Sequence, residues 1–350
     1  MTAGISLEEL QLAARNHGMP LEAMRHEITP VGLHYLLVHY DIPVVDPATW
    51  RLTIGGLVDR TLELSLDDLR ARDPVTAPVT MECAGNGRAR LEPRPVSQPW
   101  LAEAGGTAEW TGVPLATLLA EAGLARAALE VVFTALDRGV EGGVVQLYER
   151  SLSIVDAGGD DVLLAYGCNG EPLPPQHGFP LRLVVPGWYG MTSVKWLHHI
   201  TVVAEPFEGY QMVTGYRVRE HEDDEGTPVT RIEPRSLMVP PGIPDFLTRR
   251  RFLPPGRTRI EGRAWSGWGP IERVEVSTDG GASWRHAQLG DPPGPAAWAP
   301  WSFDWDAPEG EHELCVRARD TTGRGQPDDP LWNVGGYANN AVQRVPLTVR

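Results

Sequence analysis

The chain has 350 residues, 42% hydrophobic and 22% charged, with a formal net charge of −15. Its length suits about two domains of roughly 100–200 residues each, with room for a sizeable core. An acidic chain without a basic stripe has nothing to neutralise phosphates, which excludes a nucleic-acid partner. No apolar run approaches the roughly 18 residues of a membrane-spanning helix.

In chain order, Met1 to Met19 is polar and carries Glu8, Glu9 and Arg15. It lacks the charged start, apolar middle and cleavage site of a signal peptide, so the expected compartment is the cytoplasm. Trp50 to Val58 alternates as a strand, and Ser65-Leu-Asp-Asp68 reads as a capped helix start that Pro74 closes. Val75 to Met81 reads as a buried strand running into Glu82-Cys83-Ala84-Gly85-Asn86-Gly87-Arg88, whose glycines and asparagine demand a tight loop. Pro114 to Ala122 reads as a helix. Strands are expected at Glu130–Ala135, Gly143–Tyr148, Val162–Tyr166, Leu181–Val185 and Val194–Val203, which makes the middle of the chain mixed α and β. Glu220 to Glu225 reads as a solvated acidic loop, and Pro240 to Gly256 as a linker or rim. Beyond residue 256 the pattern turns to period two at Arg257–Ala264, Ile271–Ser277 and Glu313–Ala318, with Asp279-Gly280-Gly281 as a hairpin turn. That pattern predicts a β-sandwich of about 100 residues.

The three cysteines are widely spaced, so neither a disulfide framework nor a CxxC zinc site is expected. A lone cysteine is usually a small buried hydrophobe. Cys83 differs in its setting, at a strand end before a polar loop, with Arg88 five residues on. A nearby cation favours thiolate, and soft thiolate suits a metal with sulfur-rich ligands. A nucleophilic cysteine is the competing reading and needs a partner base.

Met81-Glu-Cys-Ala-Gly-Asn-Gly-Arg88 resembles the molybdenum-ligand loop of the sulfite oxidases and assimilatory nitrate reductases. The resemblance continues through Trp100 and Trp110, through Val162 to Pro174 and His177 to Arg182, and through Val185-Pro-Gly187 and Val194-Lys-Trp-Leu197. Ala264-Trp-Ser-Gly267, Val276 to Trp284, Trp332-Asn333 and Asn339-Asn340 resemble that family's dimerisation domain. Coverage runs from about Ile28 to the end.

What the resemblance implies is an α+β chain: a mixed α/β molybdopterin domain over residues 1–235, then an immunoglobulin-like sandwich over residues 236–350 that pairs two chains. By the same resemblance Cys83 ligates molybdenum beside the pterin's dithiolene sulfurs, Arg88 faces the substrate anion, and Trp100 lines the pocket. Tyr216 becomes the tyrosine near the substrate, with Tyr210 as its rival. His39, His177, Arg182, Ser193 and Lys195 hold the pterin and its phosphate. Lys195, read as a strand residue, needs an anion or a path to solvent. Cys168 is read as inert packing. His198-His199 is not read as a metal pair, because neighbouring strand residues point to opposite faces. Glu222 to Glu225 lacks the spacing of an EF-hand.

The chain departs from the family at three places. Leu36-Leu37-Val38-His39 stands where an arginine is usual at the second position, Trp268-Gly269-Pro270 replaces glycines and an arginine, and Gly87 replaces a basic residue. The implied function is sulfite oxidation to sulfate by oxygen-atom transfer at a molybdenum centre. Nothing resembles a haem, flavin or nicotinamide module, so the electrons require a separate acceptor, with a cytochrome as one candidate. The alternatives are reduction of nitrate or a sulfoxide at the same centre, and a non-catalytic binding module.

Overall fold

The computed structural model describes residues 4–350; Met1 to Ala3 of the polar N-terminal stretch lie outside it. From Leu7 to Arg15 that stretch is a helix, closed at its start by a reciprocal capping box between Ser6 and Glu9. None of the described helices is long and apolar enough to cross a membrane.

Strands dominate the rest of the chain. One five-stranded sheet runs Leu62–Leu64, Leu52–Gly56, Leu197–Val203, Glu130–Glu141, Val144–Ser153, with Leu52–Gly56 and Leu197–Val203 parallel and the other neighbours antiparallel. A second sheet joins Val75–Glu82, Gly105–Pro114, Leu163–Cys168 and Glu171–Pro172, with Arg182–Val184 also paired to Leu163–Cys168. The helix Leu115–Ala122 packs its buried Leu115, Leu118 and Leu119 into the core with Ile54, Phe133, Leu164 and Leu197. Each such buried side chain contributes roughly 1.5–3 kcal/mol of transfer free energy.

From Arg235 onward two further sheets face each other. The four-stranded one orders Arg235–Met238, Gly256–Trp265, Ala299–Ala307, Gln288–Leu289. The six-stranded one orders Ile243–Pro244, Arg251–Leu253, Gln343–Val349, Gly310–Asp320, Ile271–Ser277, Arg285–His286. Ile260, Trp301 and Phe303 from the first share one core with Val274, Leu314 and Leu347 from the second. The hairpin after Ile271–Ser277 turns through Gly280 and Gly281, both at positive φ, with Asp279 accepting from the Ser283 amide.

Three expectations need correction. The proline-rich stretch is not a plain linker, because Ile243–Pro244 and Arg251–Leu253 are strands of the six-stranded sheet. Lys195 lies in a loop, not a strand: Trp196 takes φ +50 and pairing begins only at Leu197. His198 and His199 do not diverge, since a register shift there leaves their Nδ1 atoms 3.2 Å apart. No third histidine, cysteine or carboxylate joins them among the described residues.

Candidate functional site

Cys83 follows the strand Val75–Glu82, and its amide still donates to Ala104 O at 2.8 Å, so the sheet pins it. The chain then doubles back: the Asn86 amide donates to Cys83 O at 3.0 Å and the Arg88 amide to Gly85 O at 3.1 Å. The loop residues answer to this crowding. Gly87 has φ +90, and a Cβ there would lie 2.8 Å from the Asn339 amide nitrogen. A Cβ on Gly85 would lie 2.6 Å from the Arg88 guanidinium. Asn86 secures the turn, donating to Glu82 Oε1 at 3.1 Å and accepting from the Ala104 amide at 3.1 Å. The second part of the chain closes over the loop, with the Ala338 amide on Ala84 O and Asn339 Nδ2 on Gly87 O, both at 2.8 Å.

Cys83 lines a small, partly enclosed cavity. His39, His177, Arg182, Ser193, Lys195 and Tyr216 line it too, so residues far apart in sequence converge as the resemblance implies. Arg88 and Trp100 do not line the cavity. The Arg88 guanidinium lies over Gly85 and is bonded to Gly335 O at 2.8 Å and Ser97 Oγ at 3.0 Å, with its carbon 5.1 Å from the Tyr337 ring centre. The Trp100 indole N–H is buried with no hydrogen-bond partner. Burial pushes the Cys83 thiol up; Arg88, the Gly85 amide and the Trp100 indole act in the opposite sense without cancelling it.

The cavity's cations have only neutral partners. Arg182 is buried and donates to His177 O at 3.1 Å and Ser193 O at 3.2 Å, while its Nε has no acceptor. Lys195 Nζ donates to Leu37 O at 2.7 Å and Gln176 O at 3.2 Å. Among the described residues neither cation forms an ion pair. Burial therefore pulls Arg182 down to about 10 and, with Arg182 nearby, Lys195 down to about 7. His39 hydrogen-bonds through Nε2 to the Tyr216 hydroxyl and stacks on Tyr148 at 4.7 Å. Burial lowers His34 to about 4, His39 to about 3 and His177 to about 2, so at neutral pH the cavity holds uncharged imidazoles. Tyr216 is buried and sits at φ +47, a left-handed conformation costly for a side chain and held by the surrounding packing.

Sequence reasoning missed His34, Tyr35, Asp137 and Tyr148, which also line the cavity. Asp137 carried the only visible signal, a charge directly after the apolar run Val131–Leu136. Its burial pushes its carboxyl up to about 7.

A family model described as oxidoreductase molybdopterin binding domain matches residues 39–211, and one described as Mo-co oxidoreductase dimerisation domain matches residues 231–350. With a buried cysteine before a cavity of unpaired cations, these define the chain as a molybdopterin-dependent oxidoreductase. It is 38% identical to sulfite oxidase of Gallus gallus over 339 residues, covering 91% of this chain and 72% of that one. Mitochondrial sulfite oxidase of Mus musculus is 35% identical, with 92% and 62% covered. Nitrate reductase [NAD(P)H] of Hordeum vulgare is also 35% identical, with 92% of this chain but 39% of that one covered. The solved sulfane dehydrogenase SoxCD from Paracoccus pantotrophus shares 28% identity and superposes with a TM-score of 0.82, covering 95% of this chain and 86% of that chain. The chain belongs to the sulfite oxidase family, and its cofactor is molybdenum-molybdopterin.

The residues present fit that cofactor. Cys83 offers a soft sulfur at the cavity wall. Arg182 and Lys195 lack counter-ions, and Arg182 Nε and His34 Nε2 are buried with no partner, which suits an anionic group rich in hydrogen-bond acceptors.

Proposed function

We propose that the chain oxidises sulfite to sulfate, with Cys83 as the protein's ligand to molybdenum. The observation that carries this reading is the convergence of Cys83, Tyr216 and counter-ion-free Arg182 and Lys195 on one cavity. When bound, the cofactor supplies the two-electron oxygen-atom transfer. The protein's part is to bind, orient and exclude water. Arg182 and Lys195 would hold an anionic phosphate of the cofactor, whose charge would compensate theirs. His177, Ser193, His39 and Asp137, which line the same cavity, would supply its remaining polar contacts. Tyr216, its hydroxyl bonded to His39, presents an O–H dipole to the substrate anion in a buried site. Arg88, packed against Gly85, contributes positive potential to Cys83, and Trp100 packs in the same buried cluster as that cysteine.

The electrons pass to a separate acceptor, and a cytochrome fits that need. Residues 236–350 are proposed as an immunoglobulin-like sandwich that pairs two copies, a reading supported by two sheets around one core and by the match to a dimerisation domain. Sedimentation of the full chain at micromolar concentration should show two copies; a fully active monomer overturns the pairing.

The function is tested by molybdenum and pterin analysis of purified protein. Sulfite turnover with an artificial acceptor is then compared with reduction of nitrate and of a sulfoxide by a reduced dye. Sulfite turnover alone supports the proposal. Turnover of nitrate or sulfoxide alone assigns the chain to the reductases, and absence of the metal leaves the non-catalytic module.

A further inference from the structure

Arg150 lies on the strand Val144–Ser153, two residues from cavity-lining Tyr148 and on the same face of the sheet. It is 3% exposed, yet none of the ion pairs among the described residues includes it. Nη1 donates to Gln211 O, while Nε is buried with no acceptor. A guanidinium is a planar fork of five donors that stays charged, and burying it uncompensated is costly. Its unbonded Nε–H is left available to an acceptor.

Its surroundings indicate which acceptor. The guanidinium carbon is 5.6 Å from the Tyr216 ring centre, the Tyr216 and Tyr337 ring centres are 5.2 Å apart, and Tyr337 in turn carries Arg88 on its ring at 5.1 Å. The field of Arg150 also reaches His39, the hydrogen-bond partner of Tyr216. Arg150 thus supplies positive charge beside the tyrosine pair that neighbours Cys83.

We propose that Arg150 is a second cationic contact for the oxyanion substrate, acting beside Tyr216. This rests on the reading that the site takes an oxyanion. A shift of the Arg150 fork toward its unbonded Nε side would give the anion a charge-assisted hydrogen bond and leave Tyr216 in place.

The test uses the holoenzyme with Arg150→Gln and Arg150→Lys, reading the sulfite Michaelis constant, kcat, and inhibition by sulfate at matched ionic strength. Arg150→Gln should raise both the Michaelis constant and the sulfate inhibition constant about tenfold, the scale of one charge-assisted contact, with a smaller fall in kcat. Arg150→Lys keeps the charge and should lose about threefold, since it lacks the fork. A merely structural arginine would lower the melting temperature and leave both constants unchanged in the folded fraction, which overturns the proposal. Should Arg150→Gln fail to fold, an unaltered sulfate inhibition constant in Arg150→Lys overturns it equally. If the wild type does not oxidise sulfite, the substrate reading fails separately, and the sulfate-induced rise in melting temperature takes over. A rise in the wild type that Arg150→Gln loses upholds the anion contact; an equal rise in both, or none in either, refutes it.

Discussion

Glu82, the residue directly before Cys83, forms a fully buried ion pair with Arg235 at 2.6 Å across the junction between the two parts of the chain. Glu82 also accepts from the Trp265 indole at 2.7 Å and from Asn86 at 3.1 Å, and Arg235 donates to Asn339 O. One carboxylate therefore ties the Cys83 loop to two strands of the four-stranded sheet. The second part of the chain does more than offer a surface for pairing. It sets the position of the cysteine.

Replacing Glu82 leaves Arg235 charged, buried and without its partner, a change that typically costs about 3–5 kcal/mol. Glu82→Gln should lower the urea midpoint by a corresponding amount and reduce molybdenum content, because Asn86 and the loop lose their anchor. An unchanged midpoint with full metal occupancy would show that the pair has no part in holding the loop.

Cys83→Ser exchanges a soft thiolate for a hydroxyl that stays protonated at neutral pH. The cavity's other contacts remain, since Arg182, Lys195 and His177 are held by main-chain carbonyls and not by Cys83. Turnover should fall by orders of magnitude while pterin fluorescence on the purified protein persists. Turnover like that of the wild type would remove Cys83 from the metal.

The cavity's titrating groups make the cofactor-free chain acid-sensitive. His34, His39 and His177 sit at about 4, 3 and 2 when folded, against an ordinary value near 6.5, so the unfolded chain binds more protons as pH falls below that value. Each imidazole then removes about 1.4 kcal/mol of stability per pH unit. Asp137 acts in the opposite sense. Its folded carboxyl is raised to about 7 from an ordinary 3.8, so it gains relative stability as pH falls through that interval. Lys195, lowered to about 7 from 10.5, adds nothing below pH 7. Two imidazole equivalents remain, about 3 kcal/mol per pH unit between roughly pH 6 and 4. Urea midpoints of the cofactor-free chain should fall steeply over that range; a flat profile would mean that these imidazoles are not buried in the cofactor-free protein.

The cysteine loop was legible because most of its chemistry is local: the turn needs Gly87 at positive φ, and Gly85 makes room for the Arg88 guanidinium three residues on. Identity was legible at Lys195, but its secondary structure was not, since Val194-Lys-Trp-Leu197 has strand-like residues and only packing imposes φ +50 on Trp196. The strand Gly105–Pro114 was illegible for the converse reason. Seven of its ten residues are buried, four of them in an unbroken run, so it shows no alternation. Its glycines answer to neighbours distant in sequence: a Cβ on Gly112 would lie 2.2 Å from Leu164 O, and one on Gly106 would lie 2.9 Å from the His34 ring. Arg150 was overlooked because an isolated arginine in an expected strand looks like any exposed one; only its burial without a counter-ion distinguishes it.

Position 37 tests the charge balance of the cavity directly. Leu37 lines it, packs against the cluster containing Cys83 and Trp110, and lends its carbonyl to the Lys195 ammonium. An arginine there brings a cation to a wall that already holds one. Attraction between a bound anion and a close cation is worth about 1–4 kcal/mol at effective dielectrics of roughly 80 to 20, and repulsion from Lys195 falls in the same range. The two effects separate by ligand state. Without an anion, Leu37→Arg should melt below the wild type, through lost packing and like-charge repulsion. With sulfite, its Michaelis constant should fall severalfold, because the substrate gains a cation that the wild type lacks. The substitution should also restore binding in an Arg150→Gln background, if both positions serve the same anion. Lower melting with unchanged sulfite kinetics in both backgrounds would show that position 37 serves packing alone and makes no contact with the anion.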